Sequence, residues 1–187
     1  MGRLSTFHDA EVFGVLGRLL AEGGGARLQD IVSVTGVSIG SLYHRYGSRE
    51  GLLAEAWLDS LTTFQARFLA ALRSDAPSPG EEAALATPRF CRDEHDRAII
   101  LAACRQSEFL GDGTPARFID RIEEINGETL AAIRTFAKSE GADLETCQMA
   151  LVGFPLGAVR MYLPSRQVPI KVDDMVRRAF RALMHRP

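Results

Sequence analysis

Residues 36 to 49 concentrate side chains that could form either a catalytic site or a nucleic-acid contact. Gly36–Gly40 reads Gly-Val-Ser-Ile-Gly, the glycine–x–serine–x–glycine pattern that exposes a nucleophilic serine in α/β-hydrolases. The next side chains, Tyr43, His44 and Arg45, are a phenol, an imidazole and a guanidinium, and these groups donate hydrogen bonds to phosphate. The elements that position these residues decide between the two chemistries.

Those elements are predicted to be helices, which argues against the serine nucleophile because that motif needs a multi-stranded sheet. Apolar residues recur at steps of three and four over residues 53–72 and 118–136, the pattern of amphipathic helices. Ser48, Ser78 and Asp143 stand at predicted helix starts, and Ser78 to Glu81 has the sequence of a capping box with proline at the first helical position. We therefore predict an all-α protein that has no catalytic residue and is not an enzyme.

Composition limits the remaining classes. The 187 residues carry a net charge of −2, so any nucleic-acid contact must come from a local basic patch. The longest apolar run, residues 149–159, is shorter than the roughly 18 residues of a membrane helix, and no secretory signal is evident. Cys91, Cys104 and Cys147 lack the spacing of a zinc site. We expect a cytoplasmic protein with no membrane, metal or cofactor and with reduced thiols, one of which could sense redox state.

Residues 27–46 are predicted to form two short helices joined by a turn. Leu28 and Ile31 would face a core, Gly36 permits a left-handed turn, Ser38 caps the second helix, and Leu42 faces inward. Such a helix-turn-helix fits the major groove of DNA through the exposed side of its second helix. The sequence alone therefore favours DNA binding over catalysis.

The stretch Val37–Tyr46, followed by Ser48–Leu52, resembles the signature of the TetR family, a Leu-Tyr-x-His/Arg-aromatic run and then Ser-Lys/Arg-Glu-x-Leu. The resemblance implies a homodimeric repressor of a palindromic double-stranded operator, with a helix-turn-helix domain at residues 1–50. It also implies a helical effector-binding and dimerisation domain at residues 51–187. The exposed pattern and the resemblance together predict these DNA contacts: Arg27, Gln29, Ser38, Ile39, Gly40, Ser41, Tyr43, His44, Arg45 and Arg49.

Ile39 departs from the pattern of the family, which often has a polar or basic residue there. Either an apolar contact to a thymine methyl group replaces a hydrogen bond, or no base is read at this position. A second hypothesis therefore stays open, in which the protein is a helical small-molecule binder whose helix-turn-helix no longer reads DNA.

The C-terminal part is predicted to hold an unknown small-molecule effector and the dimer interface. Apolar side chains between helices are expected to line the effector pocket, namely Phe68, Phe90, Cys104, Phe118 and Met149. Arg105 or Glu108 could anchor a charged effector. The segment Cys147–Leu163 is apolar on nearly all sides, so one face should meet a second copy.

The predicted interface residues are Val152, Leu156, Val159, Arg160, Phe180 and Leu183. We expect Arg160 to pair with Asp173 or Asp174 across this interface, because a buried charge needs a partner. Pro155 should kink its helix.

Overall fold

The computed structural model describes residues 8–23, 27–104, 106, 109–110 and 116–184. Their regular elements are helical, which confirms the predicted all-α class. The helices are α1 (Asp9–Ala21), α2 (Leu28–Thr35), α3 (Ile39–Tyr46), α4 (Arg49–Leu72), α5 (Pro79–Asp93), α6 (His95–Ala103), α7 (Ala116–Ser139), α8 (Leu144–Gln148), α9 (Phe154–Arg160) and α10 (Lys171–Met184). No helix within these residues has the length and apolarity to cross a membrane.

The predicted turn after α2 and the predicted serine caps of α3 and α4 are present. Gly36 ends α2 with a φ of 70°, a left-handed conformation that glycine adopts without steric cost. The Ser38 hydroxyl oxygen accepts a hydrogen bond of 3.1 Å from the Ser41 amide, and the Ser48 hydroxyl oxygen accepts one of 2.9 Å from the Gly51 amide. These local bonds start α3 and α4 where the sequence predicts.

The predicted capping box at Ser78 is wrong. Pro79 does begin α5, but the Ser78 side chain makes no capping hydrogen bond. The Glu81 carboxylate instead accepts hydrogen bonds from Arg177, at 2.9 Å, and from Arg181, at 2.7 Å, both on α10. Charge-assisted bonds to two guanidinium groups are stronger than a bond to one exposed amide, so Glu81 ties α5 to α10. The Asp143 cap is present, with a bond of 2.8 Å from the Thr146 amide.

Two clusters of buried apolar residues hold the helices together. The first joins α1, α2, α3 and the start of α4, and α6 adds Ile100 to it while α7 adds Phe118. The second joins the remainder of α4 with α5 and the helices from α7 to α10, and it includes Ala98 of α6. Helix α6 therefore contributes side chains to both cores.

The helical run from residue 144 to residue 160 is interrupted at its centre. Residues Met149–Gly153 form a π-helix between α8 and α9. Pro155 follows closely and has no amide hydrogen for the α-helical pattern. A π-helical turn widens the backbone by one residue and accommodates such a defect. The kink at Pro155 stays a prediction, and the structure shows a π-helical turn that ends two residues before it.

Candidate nucleic-acid interface and ligand cavity

Helix α3 has one buried face and one exposed face. Leu42 is almost fully buried between the first helices, while Val37 fills the corner of the turn. On the outer face, Ile39 is 42% exposed and Tyr43 is 51% exposed. Among the other predicted contacts on α3 and at its N-cap, those that are exposed are Ser38, Gly40, His44 and Arg45. The outer face of this helix is therefore accessible to a ligand as large as a DNA duplex.

Three further predicted contacts lie at the starts of neighbouring helices. Arg27 immediately precedes α2, and Gln29 is in its first turn, where both side chains are exposed. Arg49 is the first residue of α4, and its guanidinium lies 3.7 Å from the Glu50 carboxylate. The structure thus brings these cationic and polar groups to helix N-termini, whose amide groups also favour phosphate.

The Arg45 side chain forms an ion pair with a carboxylate of the same chain. Its Nε donates a hydrogen bond of 2.6 Å to the Asp9 carboxylate, to which Nη2 is also bonded. The Tyr46 hydroxyl donates to the same carboxylate at 2.6 Å. We call these three residues the Asp9 clasp, because they tie the start of α1 to the end of α3. A phosphate must therefore compete with Asp9 for Arg45, and the sequence did not identify Asp9 as the partner of Arg45.

The clasp changes the titration of its members. The bond from the Arg45 guanidinium lowers the pKa of Asp9 most, and the Tyr46 hydroxyl lowers it further. Burial, together with the Asp9 carboxylate, raises the pKa of Tyr46. Both shifts favour the ionised carboxylate and the neutral phenol that the hydrogen bonds require.

We expect Asp9→Asn to destabilise the protein at neutral pH and much less in acid. The folded-state pKa of Asp9 is lower than its unfolded value of about 3.9, so the clasp stabilises fully above that pH. Its contribution is lost as the pH falls through the lower, folded-state value. Urea unfolding of both proteins across this range should show the two free energies converging in acid. In an Arg45→Gln background most of this pH dependence should vanish, and its full retention would contradict the clasp.

A small apolar cavity lies between α4, α5, α6 and α9. Its volume is about 80 Å³, and Arg160 is the charged residue in its wall. The remaining wall residues are Phe64, Thr87, Phe90, Cys91, Ala98, Leu101, Ala102, Leu156, Val159 and Leu163. An apolar wall with one cation and one hydroxyl suits a small, mainly apolar molecule.

The five residues predicted for the effector pocket do not share this cavity. Phe90 is in its wall, whereas Phe68 is buried in the second core. Cys104 and Phe118 belong to the first core, and Met149 is 52% exposed on the π-helical segment. Four of the five predicted residues are buried, but apolar periodicity does not show which buried side chains border a cavity. Arg105 and Glu108 lie outside the described residues.

All three cysteines are buried. Burial raises the pKa of Cys91 to about 12, and burial with nearby carboxylates raises the pKa of Cys147. Thiols with raised pKa values hold little of the reactive thiolate, so these two residues are poor redox sensors. Among the described residues, no group of three or more potential ligands could hold a metal ion.

Several large apolar side chains on α9, on α10 and directly after α9 are exposed. Phe154, Met161, Met175 and Leu183 are between 37% and 67% exposed, and with Leu156 at 38% we call them the α9/α10 patch. Large apolar side chains exposed on neighbouring helices are candidates for contact with a protein partner. The interface predicted from the sequence includes Leu156 and Leu183 but not the other three residues of the patch.

The other predicted interface residues occupy different positions. Val152 is half-buried and Arg160 is exposed, whereas Val159 and Phe180 are at most 5% exposed and pack in the second core. The pairing of Arg160 with Asp173 or Asp174 across an interface stays a prediction, and both carboxylates already have a partner within the chain. The Asp173 carboxylate accepts two bonds of 2.8 Å from Arg92 of the same chain. Asp174 accepts a bond of 2.8 Å from Arg177.

Comparison with known proteins agrees with this geometry. Residues 18–56 match the family described as bacterial regulatory proteins, tetR family. Among solved structures, the chain is similar to the TetR family transcriptional regulator PfmR from Thermus thermophilus, with a TM-score of 0.70 and 18% identity. That match covers 92% of this chain and 96% of the other. No curated protein matches the sequence significantly.

Proposed function

Because the chain is a TetR-family DNA-binding regulator of transcription, we propose that it is a homodimeric repressor that a small, mainly apolar effector releases from a palindromic operator. Residues 1–50 would form the DNA-binding domain, and residues 51–187 would bind the effector and the second copy. The observation that carries this proposal is the outer face of α3, which is exposed from Ser38 to Arg45 apart from half-buried Ser41 and buried Leu42.

The predicted contacts divide into those that position DNA and those that read it. Tyr43 and His44 on α3, with Arg27, Gln29 and Arg49 at its flanks, would bind phosphate oxygens. The side chains of the first turn of α3, from Ser38 to Ser41, would face base edges in the major groove. Arg45 would join the phosphate contacts only when it exchanges Asp9 for DNA.

The α9/α10 patch supports the dimer. Pairing it with the same patch of a second copy would remove the exposed apolar side chains of both from water. A two-fold axis through this interface would present two α3 helices, and successive major grooves on one side of a duplex lie about 34 Å apart. A palindromic operator matches that symmetry.

The cavity and α6 provide a physical route for release. A volume of about 80 Å³ is below the several hundred Å³ typical of ligand pockets, so an effector would have to move its walls. The α6 wall residues include Ala98 and Leu101, while Asp96 at the start of α6 pairs with Arg18 of α1 at 3.2 Å. Displacing α6 would therefore move the DNA-binding helices. An effector shifts this equilibrium only by binding the released state more tightly.

The test is selection of bound duplexes from a random pool with the full-length protein. The expected result is a palindromic sequence with two half-sites about one helical turn apart. Small apolar compounds would then be screened for release of that duplex. Ala102→Phe would place a ring at the cavity wall, so it should abolish release without abolishing binding. Failure to enrich any duplex would contradict the proposal and favour the hypothesis of a ligand-binding protein that does not read DNA.

We expect Arg49→Ala and Tyr43→Phe to weaken binding of all duplexes, but with different salt dependence. Removing one guanidinium from a phosphate reduces the slope of log affinity against log salt by about one. Removing a phenolic hydroxyl leaves the slope unchanged because no counterion-releasing charge is lost. Fluorescence anisotropy titrations at several salt concentrations measure both. Arg134→Ala, at an exposed position on α7, is the matched control, and an unchanged slope for Arg49→Ala would contradict its role.

A further inference from the structure

The first turn of α3 presents an apolar side chain where a base would be met. Ile39 is the first residue of α3 and is 42% exposed. The neighbouring residues offer few free polar groups for contact with a base. The Ser38 hydroxyl lies 2.8 Å from the Ser41 hydroxyl and also accepts the bond from the Ser41 amide, and Gly40 has no side chain. Within this turn Ile39 is therefore the exposed residue that has a large apolar side chain.

Resting on the DNA-binding function proposed above, we propose that Ile39 determines operator specificity by recognising the C5-methyl group of thymine. Thymine is the standard base with an apolar group in the major groove, where the other bases present donors and acceptors. A branched side chain in a helix has one strongly preferred χ1 rotamer, so its methyl groups point in a fixed direction. A polar base edge placed there would lose its water without gaining a hydrogen bond.

The serine pair strengthens this preference because it restricts the alternative contacts. A Ser41 hydroxyl that bonds to Ser38 stabilises the start of α3, and turning it toward a base would give up that contact. Polar readout by either serine therefore carries a cost that apolar contact by Ile39 does not. We infer that each half-site contains a thymine opposite the start of α3.

Uracil replacement isolates this contact, because uracil pairs as thymine does and lacks only the methyl group. Thymines of the selected operator would be replaced by uracil one symmetric pair at a time, and affinity measured by anisotropy. For the wild-type protein we expect about a fourfold loss per half-site at one pair of positions, the effect of one methyl group removed from an apolar contact. Ile39→Ala should lose this sensitivity at that pair alone, and Ile39→Val should keep most of it.

The converse experiment adds a methyl group to the duplex and measures a gain of affinity. Replacing the same thymine·adenine pair by cytosine·guanine should weaken wild-type binding, and 5-methylcytosine should restore part of it by returning the methyl group. Val34 is 60% exposed on the neighbouring α2, so Val34→Ala is a matched control that should keep the uracil effect.

The results that would contradict the role of Ile39 differ from the result that would contradict DNA binding. Equal binding of thymine and uracil duplexes at every position by the wild-type protein would overturn the role of Ile39, as would uracil sensitivity that Ile39→Ala retains. Either result would leave DNA binding itself intact. The proposed function fails by a different result, in which no duplex is selected at all. Because Ile39 is exposed, circular dichroism of its variants should match the wild type.

Discussion

A chain carrying Met161→Glu and Met175→Glu is expected to be monomeric and to bind its operator at least about a hundredfold more weakly. Both residues belong to the α9/α10 patch, with exposures of 67% and 37%. A carboxylate buried in an apolar interface costs several kcal/mol, and two-fold symmetry introduces each change twice. Losing the dimer also removes the gain that two linked half-site contacts provide, which is commonly a factor of about 10² to 10⁴.

Analytical ultracentrifugation and operator titration of the same sample measure both effects. Ile119→Glu is the matched control, because Ile119 is an exposed apolar residue of α7, 43% exposed, outside the patch. It should leave the protein dimeric and its affinity unchanged. A double variant that remains dimeric would show that the two chains meet through another surface. A monomer that binds the full palindrome as tightly as the wild type would contradict the proposed symmetric recognition.

The DNA-binding half was predictable from sequence because its signals are local. The left-handed turn at Gly36 and the caps at Ser38 and Ser48 involve residues at most four positions apart. The inward side chain of Leu42 follows from helical periodicity once the start of α3 is known. These features fixed the exposed face of α3 without any knowledge of the remaining chain.

Contacts between distant residues were not predictable in the same way. Asp9 and Arg45 are 36 positions apart, and Glu81 and Arg181 are 100 apart. Charged side chains are abundant along the sequence, so composition does not indicate which of them pair. No local feature of the sequence marks Asp9 as the carboxylate that binds two side chains of α3.

The sequence also did not show which face of an apolar helix packs within the chain and which face is exposed. At the end of α9, both Val159 and Met161 are apolar, yet one is 2% exposed and the other 67%. Periodicity shows that two apolar faces exist but does not distinguish the face that packs within the chain from the face left for a partner. The same ambiguity placed Phe180 in the predicted interface. Only the packing of α10 on α5 and α9 settles which side is outward.

Gly17→Ala is expected to lower stability, whereas the same change at Gly127 should raise it. Both glycines are inside helices, where alanine is favoured by up to about 1 kcal/mol. A Cβ at Gly17 would lie 2.5 Å from the backbone oxygen of Asp96 on α6, and overpacking of this kind costs about 1–3 kcal/mol. A Cβ at Gly127 meets no atom within 4 Å. Helix propensity therefore determines the sign of the stability change at Gly127. The contact between α1 and α6 determines the sign of the stability change at Gly17.

Thermal unfolding at one fixed protein concentration measures both signs, since oligomerisation makes the midpoint concentration-dependent. A domain of this size shifts by about 2–4 °C per kcal/mol, so Gly17→Ala should melt several degrees lower and Gly127→Ala slightly higher. A rise for both variants would mean that α1 does not approach α6 closely. That result would weaken the physical link between the cavity and the DNA-binding helices, because the close approach at Gly17 acts together with the Arg18–Asp96 pair to couple α6 to α1.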